Sequence, residues 1–593
     1  MLSRRFLTTT LFAFMSWPVL TYGQQFTSGQ ISGFVFDSSG APVPNAVVTA
    51  EEVLTHASRQ ISTGDNGYFI FANIPVGTYT VSTEVSGFKR STESGLILDA
   101  GGKLAVTFKL EVGSAAQSVD VKASRAPVES ETAQVGRLVE QQQLLELPVN
   151  GRNMGNYLMF EPGVSNLRQP NVSAGTDNFG IRRFSINGSN DSETHVTVDG
   201  IEAIRTDGGG ATIGMTSPDS LQEVRVLTSN YLAEYGRGGG AQVIYVTRSG
   251  TSQFHGGLYE FGENDILNAR GYFAATKPKL RQNLFGGNLG GPVYMPGKWN
   301  KDKNKAFFFY SGEMLRIRNE TQAIALVPTA AQRAGNFSGS GTAPIDPLTK
   351  LPFPGAIIPA NRISQNGPAL LSMYPDPNAN LPGGNYSALG KNWTNQSIQQ
   401  MKGDYDLGNT RLSASINLTR LDFENAFRGS FALLPDLEHR YGYREGITAT
   451  TTIRPNLLNQ FQFGYSTDHE ALLRVGVGVD RSTYGINFPY VFPEQYKDGN
   501  KIPTLNVSGL AQIDGGNYLT AGHRGPIFNA HDDMTWNHGS HTIRFGAVAE
   551  RTGLNTSDQA KGDQNGIFTF AASSLNPGTT RNPIADVLLG NFD

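Results

Sequence analysis

AEYGRGGGAQVIYVTRSG, Ala233 to Gly250, contains Gly236, Gly238 and Ala241 at the G-x-G-x-x-G/A spacing of a dinucleotide-binding fingerprint. Such a fingerprint works only where it follows a strand and opens a helix, so that phosphate meets a helix N-terminus. Here the glycines follow the turn-like polar and aromatic segment SNYLAEYG, and AQVIYVT behind them is dense in β-branched and aromatic residues. The stretch therefore predicts a strand, not a nucleotide site. Gly236, Gly238, Gly239 and Gly240 are expected to allow positive φ and close backbone approach where a packed chain turns into that strand.

The composition agrees with a mainly β protein. Of 593 residues only 17% are charged, against about 25% in ordinary soluble domains. Gly reaches 69 and aromatics 10%, so tight turns and ring-bearing strands are expected throughout. The net charge of -3 gives no reason to expect nucleic acid. There is no Cys, which excludes disulfides, thiolate metal sites and thiol nucleophiles. None of the nine His residues opens an H-E-x-x-H pair, and HEALL at His469 lacks the second His, so His469 reads as a strand residue. No catalytic set, metal site or cofactor is implied.

Residues 1–23 read as a signal peptide: a basic MLSRR, the apolar FLTTTLFAFMSWPVL and a small residue at the end of TYG. The alternative, a membrane anchor, falls short of the ~20 apolar residues that a spanning helix needs. Ser3-Arg4-Arg5 also admits twin-arginine export. Beyond Gly23 no run of 18 apolar residues occurs, so later membrane insertion would have to use strands.

Between residues 29 and 113 turn clusters separate alternating apolar runs. Ile31, Gly33 and Val35 precede Val43, Ala46 and Val48, while Asp65-Asn66-Gly67 and Pro75-Val76-Gly77 flank runs holding Tyr68, Ile70, Tyr79 and Val81. This is the pattern of hairpins in a small β-sandwich. From Gly33 to Tyr79 it resembles the carboxypeptidase regulatory-like domain. Residues 114–128 have a linker's composition around one short alternating strand.

From 129 to 250 come VEQQQLLELPVNGRN, FSINGSNDSETHVTVDGIEA and PDSLQEVRVLTSNYLAEYGRGGGAQVIYVTRSG. With the V-x-V at Val224 and Val226, A-x-Y-G at Ala233 to Gly236 and a closing strand ending in Thr247, this passage resembles the plug domain of TonB-dependent outer-membrane receptors. LPVNGRN, Leu147 to Asn153, narrows the resemblance to the Oar-like branch. Ile244 stands where relatives often carry Asn, which puts that polar contact in doubt. The resemblance implies a TonB box, an extended peptide that pairs with the edge of TonB's sheet. Ser118, Val119, Asp120, Val121, Lys122 and Ala123 are its candidate residues; the alternative is that they form the last strand of the preceding sandwich.

Residues 251–593 fall into alternating, aromatic-rich segments of about ten residues, such as AFFFYSGEMLRIR and AHDDMTWNHGSHTIRFGAVAER. Counted from Phe254, short links follow even-numbered strands and long ones, near 319–391 and 476–525, follow odd ones. Outer-membrane barrels sort their turns and loops this way. About nine or ten strands can be counted, whereas plugged transporters close at 22, so the chain reads as the N-terminal portion of a truncated barrel.

The expected fold is mainly β: an N-terminal sandwich, a mixed α/β plug and an incomplete transmembrane antiparallel barrel. The resemblance implies a receptor in the outer membrane of a Gram-negative bacterium, with its N-terminal modules on the periplasmic side. Its partners would be TonB with the inner-membrane energising complex, outer-membrane lipid and an extracellular ligand of unknown class. Adhesion or protein secretion, rather than uptake, is the alternative function.

Overall fold

The computed structural model describes residues 28–592, apart from 114–117, 123–133, 148, 150–151, 153, 159, 167–183, 191–192, 207–211, 233–234, 237, 271–276, 428–434, 455, 475–479, 490–500, 514–520, 539–540, 558–565 and 574–575. The signal-peptide reading lies outside the described residues, as does Ala123.

The first module is a two-sheet sandwich of eight strands: β1 (Ser28–Phe36), β2 (Val47–Glu52), β3 (Ser58–Ser62), β4 (Tyr68–Pro75), β5 (Gly77–Glu84), β6 (Arg90–Leu98), β7 (Lys103–Lys109) and β8 (Ser118–Lys122). One sheet runs β4-β1-β7 and the other β3-β2-β5-β6-β8. Phe69, Phe71, Phe108, Ile31 and Val81 fill the space between them. The turn clusters do not act as the hairpins expected from their spacing. The links β1 to β2, β3 to β4 and β4 to β5 each carry the chain from one sheet to the other. A local pattern of turn and alternation is common to hairpins and corners; only the partners of the flanking strands tell them apart.

The second module is built on the sheet β13-β12-β15-β14-β9, with β9 (Val135–Glu140), β12 (Thr194–Val198), β13 (Ile201–Glu202), β14 (Leu221–Ser229) and β15 (Ala241–Thr247). A small hairpin joins β10 (Val164–Asn166) to β11 (Phe184–Ile186). The helices Gln141–Glu146 and Met154–Leu158 bring Leu144, Tyr157 and Leu158 against Val196, Val224 and Val243. The closing strand ends at Thr247, where the sequence places it. Ile244 is fully buried beside Ala100, Leu227 and Val246, so apolar packing with the sandwich occupies the position where a polar contact was in doubt.

The third module is one antiparallel sheet. Its long strands are β16 (His255–Asn264), β17 (Leu280–Pro292), β18 (Ala306–Ala325), β19 (Tyr386–Asp406), β20 (Thr410–Asn425), β21 (Asp436–Arg454) and β22 (Leu457–Arg474). Four short strands follow or flank them: β23 (Thr504–Val507), β24 (Ala521–Arg524), β27 (Asn555–Ser557) and β28 (Ile567–Phe570). The sheet is completed by β25 (Ile527–His538) and β26 (His541–Thr552), with β22 pairing β25 along one half and β24 along the other. Among the described residues β16 and β26 do not pair with each other, so the sheet is open. Short links follow β19, β21 and β25, as the sequence predicts, but the link 293–305 after β17 is longer than the link 426–435 after β20, so the alternation is not strict.

Several strands are longer than the expected ten residues, β18 reaching 20 and β19 reaching 21. About 9–11 residues suffice to cross a bilayer, so these strands run well past it. Polar segments such as Asn319-Glu320-Thr321-Gln322 continue the ladder by pairing with 389–392 of β19.

Beyond those strand ends the long links share a core of their own. Val327, Phe337, Phe353, Leu371 and Tyr374 from 326–385 pack with Ile486, Leu505 and Val507 from 475–526 and with Phe570, Ala585, Val587 and Leu588. Within this cap β23 pairs in parallel with β28. The helix Pro583–Leu589 starts on an Asn582 side-chain cap and stops at Gly590, whose φ is 78°.

Candidate functional site

The burial pattern of the open sheet is the reverse of a soluble protein's. Along β25 the buried residues are Ile527, Asn529, His531, Asp533, Thr535 and Asn537, while Phe528 and Trp536 are exposed. On β22 Gln460, Gln462, Ser466 and Asp468 are buried and Phe461 and Phe463 exposed; on β20 Ser415, Asn417 and Thr419 alternate with exposed Ile416 and Leu418. Polar inward and apolar outward is stable only if the outside is lipid.

What covers the polar face is the second module, seated in the concavity of the sheet by buried ion pairs. Arg152, from LPVNGRN, bonds Asp219, from PDSLQEV, and its Nε lies 3.3 Å from Glu313 Oε2 on β18. Glu313 also accepts from Ser217 Oγ at 3.1 Å and from Tyr259 OH at 2.9 Å. The guanidinium stands over the rings of Tyr259 and Phe261, 4.9 and 5.1 Å from their centroids. On the other side Arg205 Nε meets Asp468 at 2.6 Å and its Nη2 meets Glu470 at 2.8 Å. Lys402 reaches Asp199 at 3.3 Å and the Thr247 carbonyl at 3.1 Å. Arg444 donates to the Ile213 carbonyl and to Thr216.

The contacts across this seam are polar and charged on both sides. Nothing in the motifs around Arg152 and Asp219 marks this pairing, because the partner, Glu313, lies 161 residues from Arg152. His195 was likewise unassigned; it is buried between Gln242 Oε1 at 2.8 Å and Glu202 Oε2 at 2.6 Å.

The glycine cluster sits at the start of β15, with no helix behind it. Gly238, Gly239 and Gly240 keep φ outside the left-handed range, contrary to the expectation of positive φ. Close approach does hold: a Cβ on Gly238 would lie 2.5 Å from the Glu193 carbonyl, and one on Gly240 would run into Ser189 Oγ. A Cβ on Gly239 would make only ordinary contact, 3.9 Å from Glu193 Oε2, and the Gly236 carbonyl accepts from Gln242 Nε2 at 2.9 Å.

The candidate TonB box, Ser118 to Lys122, forms β8. It pairs in parallel with Arg90 to Ser94 of β6, as the edge strand of the five-stranded sandwich sheet. His469 lies on β22 opposite Tyr441, and His541 opens β26.

The family described as outer membrane beta barrel domain matches residues 246–593, more than half of the chain. The chain belongs to that family. In front of this outer-membrane barrel region, residues 128–243 match the TonB-dependent receptor plug domain and residues 30–111 the carboxypeptidase regulatory-like domain. These are the modules of a TonB-dependent receptor of the Oar-like type. The chain is 28% identical over 284 residues to the TonB-dependent transporter Oar of Myxococcus xanthus, an alignment covering 46% of this chain and 26% of that protein. Among solved structures it is similar to the outer membrane transporter YddB of Escherichia coli, at 11% identity and a TM-score of 0.42, over 70% of this chain and 48% of that one. The ferric citrate transporter FecA in its unliganded form is similar at 12% identity and a TM-score of 0.35, over 72% and 57%. The chain thus spans about a quarter of the curated relative and about half of these structures.

Proposed function

We propose that the protein is a TonB-dependent uptake receptor of the outer membrane, in which pulling by TonB unseats the plug and lets a ligand pass inward. The observation that supports this most is the seam itself: charged plug residues, Arg152 and Arg205, are bonded to carboxylates on the lumen face of the sheet. Unseating the plug has to separate several such pairs at once, and an outer-membrane protein has no nucleotide of its own to drive that step. No covalent step is required of any residue.

In this reading Ser118 to Ala123 is the TonB box, its residues Ser118 to Lys122 held as an edge strand until TonB's sheet captures them through main-chain hydrogen bonds. Val121→Pro in the complete gene product tests the assignment, since it removes one main-chain donor. Loss of binding to the TonB C-terminal domain is expected. Unchanged TonB binding together with a loosened sandwich would leave β8 as a structural strand only.

A second reading, an adhesion or secretion factor, is favoured by one feature. The long links form a cap with its own core rather than a polar fringe, and such a cap offers a firm surface for a macromolecule. A gene deletion distinguishes the two: loss of growth on a single nutrient supports uptake, whereas altered clumping or secreted protein with normal uptake supports the alternative.

A further inference from the structure

The outer side of β17 and β18 carries three arginines that neither the plug seam nor the cap uses. On β18 Glu313, Leu315 and Ile317 are buried on the lumen side, so Tyr310, Met314, Arg316 and Arg318 point the other way. On β17 Leu284 packs with Leu315 and Ile317, and the alternate residues Leu289, Phe285, Asn283 and Arg281 are exposed. The ladder sets Arg281 directly opposite Arg318, and Asn283 opposite Arg316. From Phe308 to Arg316 a tilted strand climbs roughly 20 Å, most of the ~25 Å apolar band of an outer-membrane barrel. Trp393, opposite Arg318 on β19, suits the aromatic girdle at the band's edge. The arginines therefore stand where hydrocarbon gives way to headgroups, on the side of the long links.

Like charges directly opposite each other on a sheet are destabilising, and more so beside a phase of low dielectric constant. The carboxylates of the neighbouring strands are engaged elsewhere. Glu320 meets Lys279 at 3.4 Å, Asp422 meets Arg420 and His439, each at 2.6 Å, and Glu424 accepts from the Trp393 indole at 2.8 Å. Among the described residues no carboxylate pairs with Arg281, Arg316 or Arg318. Arg316 Nη1 donates to the carbonyls of Leu315 and Gln396, at 3.2 and 3.1 Å. Arg318 Nη1 donates to those of Ile317 and Thr394, at 2.6 and 3.2 Å, and its Nη2 to Asn395 Oδ1 at 3.0 Å. These bonds hold both guanidiniums against β19 without using all five N–H donors of either.

We propose that Arg281, Arg316 and Arg318 bind the phosphate groups of an anionic lipid headgroup in the outer leaflet. Phosphate matches the guanidinium fork two oxygens at a time, and its charge removes the repulsion between the facing arginines. The acyl chains of the same lipid lie along Phe285, Met314 and Tyr310, the outward residues next towards the middle of the band. A soluble anion gains the first of these contacts and not the second, so the site selects a lipid. The proposal holds whether the protein takes up a ligand or acts in adhesion; it requires only that the sheet lie in the outer membrane.

The protein purified in detergent is titrated with bisphosphorylated lipid A, and bound lipid is counted by native mass spectrometry. Saturable binding is expected. The triple variant Arg281→Gln, Arg316→Gln, Arg318→Gln should raise the half-saturating concentration about ten-fold, and the corresponding triple lysine variant less, because an ammonium keeps the charge but not the fork. Should the triple glutamine variant fail to fold, Arg318→Gln alone should raise it about three-fold. Arg420→Gln, which removes a guanidinium already paired with Asp422, should leave it within about two-fold of wild type. Unchanged affinity in the glutamine variants, equal binding of dephosphorylated lipid A, or full competition by an equal concentration of inorganic phosphate would overturn the proposal. Loss of TonB binding or of uptake in another experiment bears on the receptor reading and leaves this site standing.

Discussion

Arg152 of the plug is bonded to Asp219 of its own module and lies 3.3 Å from Glu313 of barrel strand β18, so one guanidinium joins the stopper's interior to its socket. Arg152→Ala would leave two buried carboxylates facing each other. The expected cost is about 3–5 kcal/mol, read as faster hydrogen exchange in β14 and β15 while the amides of β18 to β22 stay protected. Arg152→Lys should recover only part of the loss, because an ammonium cannot bond two carboxylates in Arg's planar geometry. Equal exchange in wild type and Arg152→Ala would show that the pair does not hold the plug.

Glu223 is expected to make the docking of sandwich on plug sensitive to pH. The Ala100 N–H donates to its carboxylate at 2.6 Å, and Arg225 donates to the Ala100 carbonyl. Burial pushes the Glu223 carboxyl up to about 8, and Asp99 pushes the same way; the Ala100 N–H and Arg225 only partly oppose them. A carboxyl raised in the folded state favours folding in its protonated form. Its contribution is therefore complete below about pH 4.5 and declines as pH rises towards 8. The sandwich should be released by limited proteolysis more readily at pH 9 than at pH 6, and Glu223→Gln should flatten that dependence. Parallel profiles for the two proteins would rule out Glu223 as the cause.

Neighbouring glycines in the plug should respond differently to the same substitution. At Gly238 an added methyl meets the Glu193 carbonyl, so Gly238→Ala is expected to cost about 1–3 kcal/mol through forced backbone shifts. At Gly239 the nearest atom is 3.9 Å away, so Gly239→Ala should stay within about 0.5 kcal/mol of wild type. Thermal unfolding of the purified chain measures both; similar losses at the two sites would contradict the close-approach account.

Leu588 lies at the centre of the cap. It is fully buried, its carbonyl accepts from the Ser364 N–H at 2.7 Å, and it leaves no room for a side chain at Gly367. Leu588→Ala should cost about 2–5 kcal/mol locally. Because two links and the segment after β26 share the core, exchange should rise together in 366–374, 504–507 and 567–570. A rise confined to the last segment would show that the links move separately.

Much of this arrangement is legible locally. Alternation in AHDDMTWNHGSHTIRFGAVAER marks β25 and β26, the order of short and long links marks a barrel, and AQVIYVT after the glycines marks a strand rather than a helix. The cap was not legible. Pro583-Ile584-Ala585-Asp586-Val587-Leu588-Leu589 is a short apolar run whose meaning depends on Leu371, Tyr374 and Leu505, each brought to it from a distant link. Arg152 and Arg318 were equally silent, since an arginine in a loop or a strand looks alike whether paired, solvated or facing lipid.

By itself the sequence determined where most strands lie and the order of the modules, though not the strands' full length, because alternation and turn chemistry act between residues a few positions apart. Tertiary structure alone decided which turns became corners between sheets, which carboxylate received Arg152, and that two long links and the segment after β26 would fold as one body. Those outcomes depend on contacts between residues tens to hundreds of positions apart, and a linear pattern carries no record of which distant surface will exclude water from a given side chain.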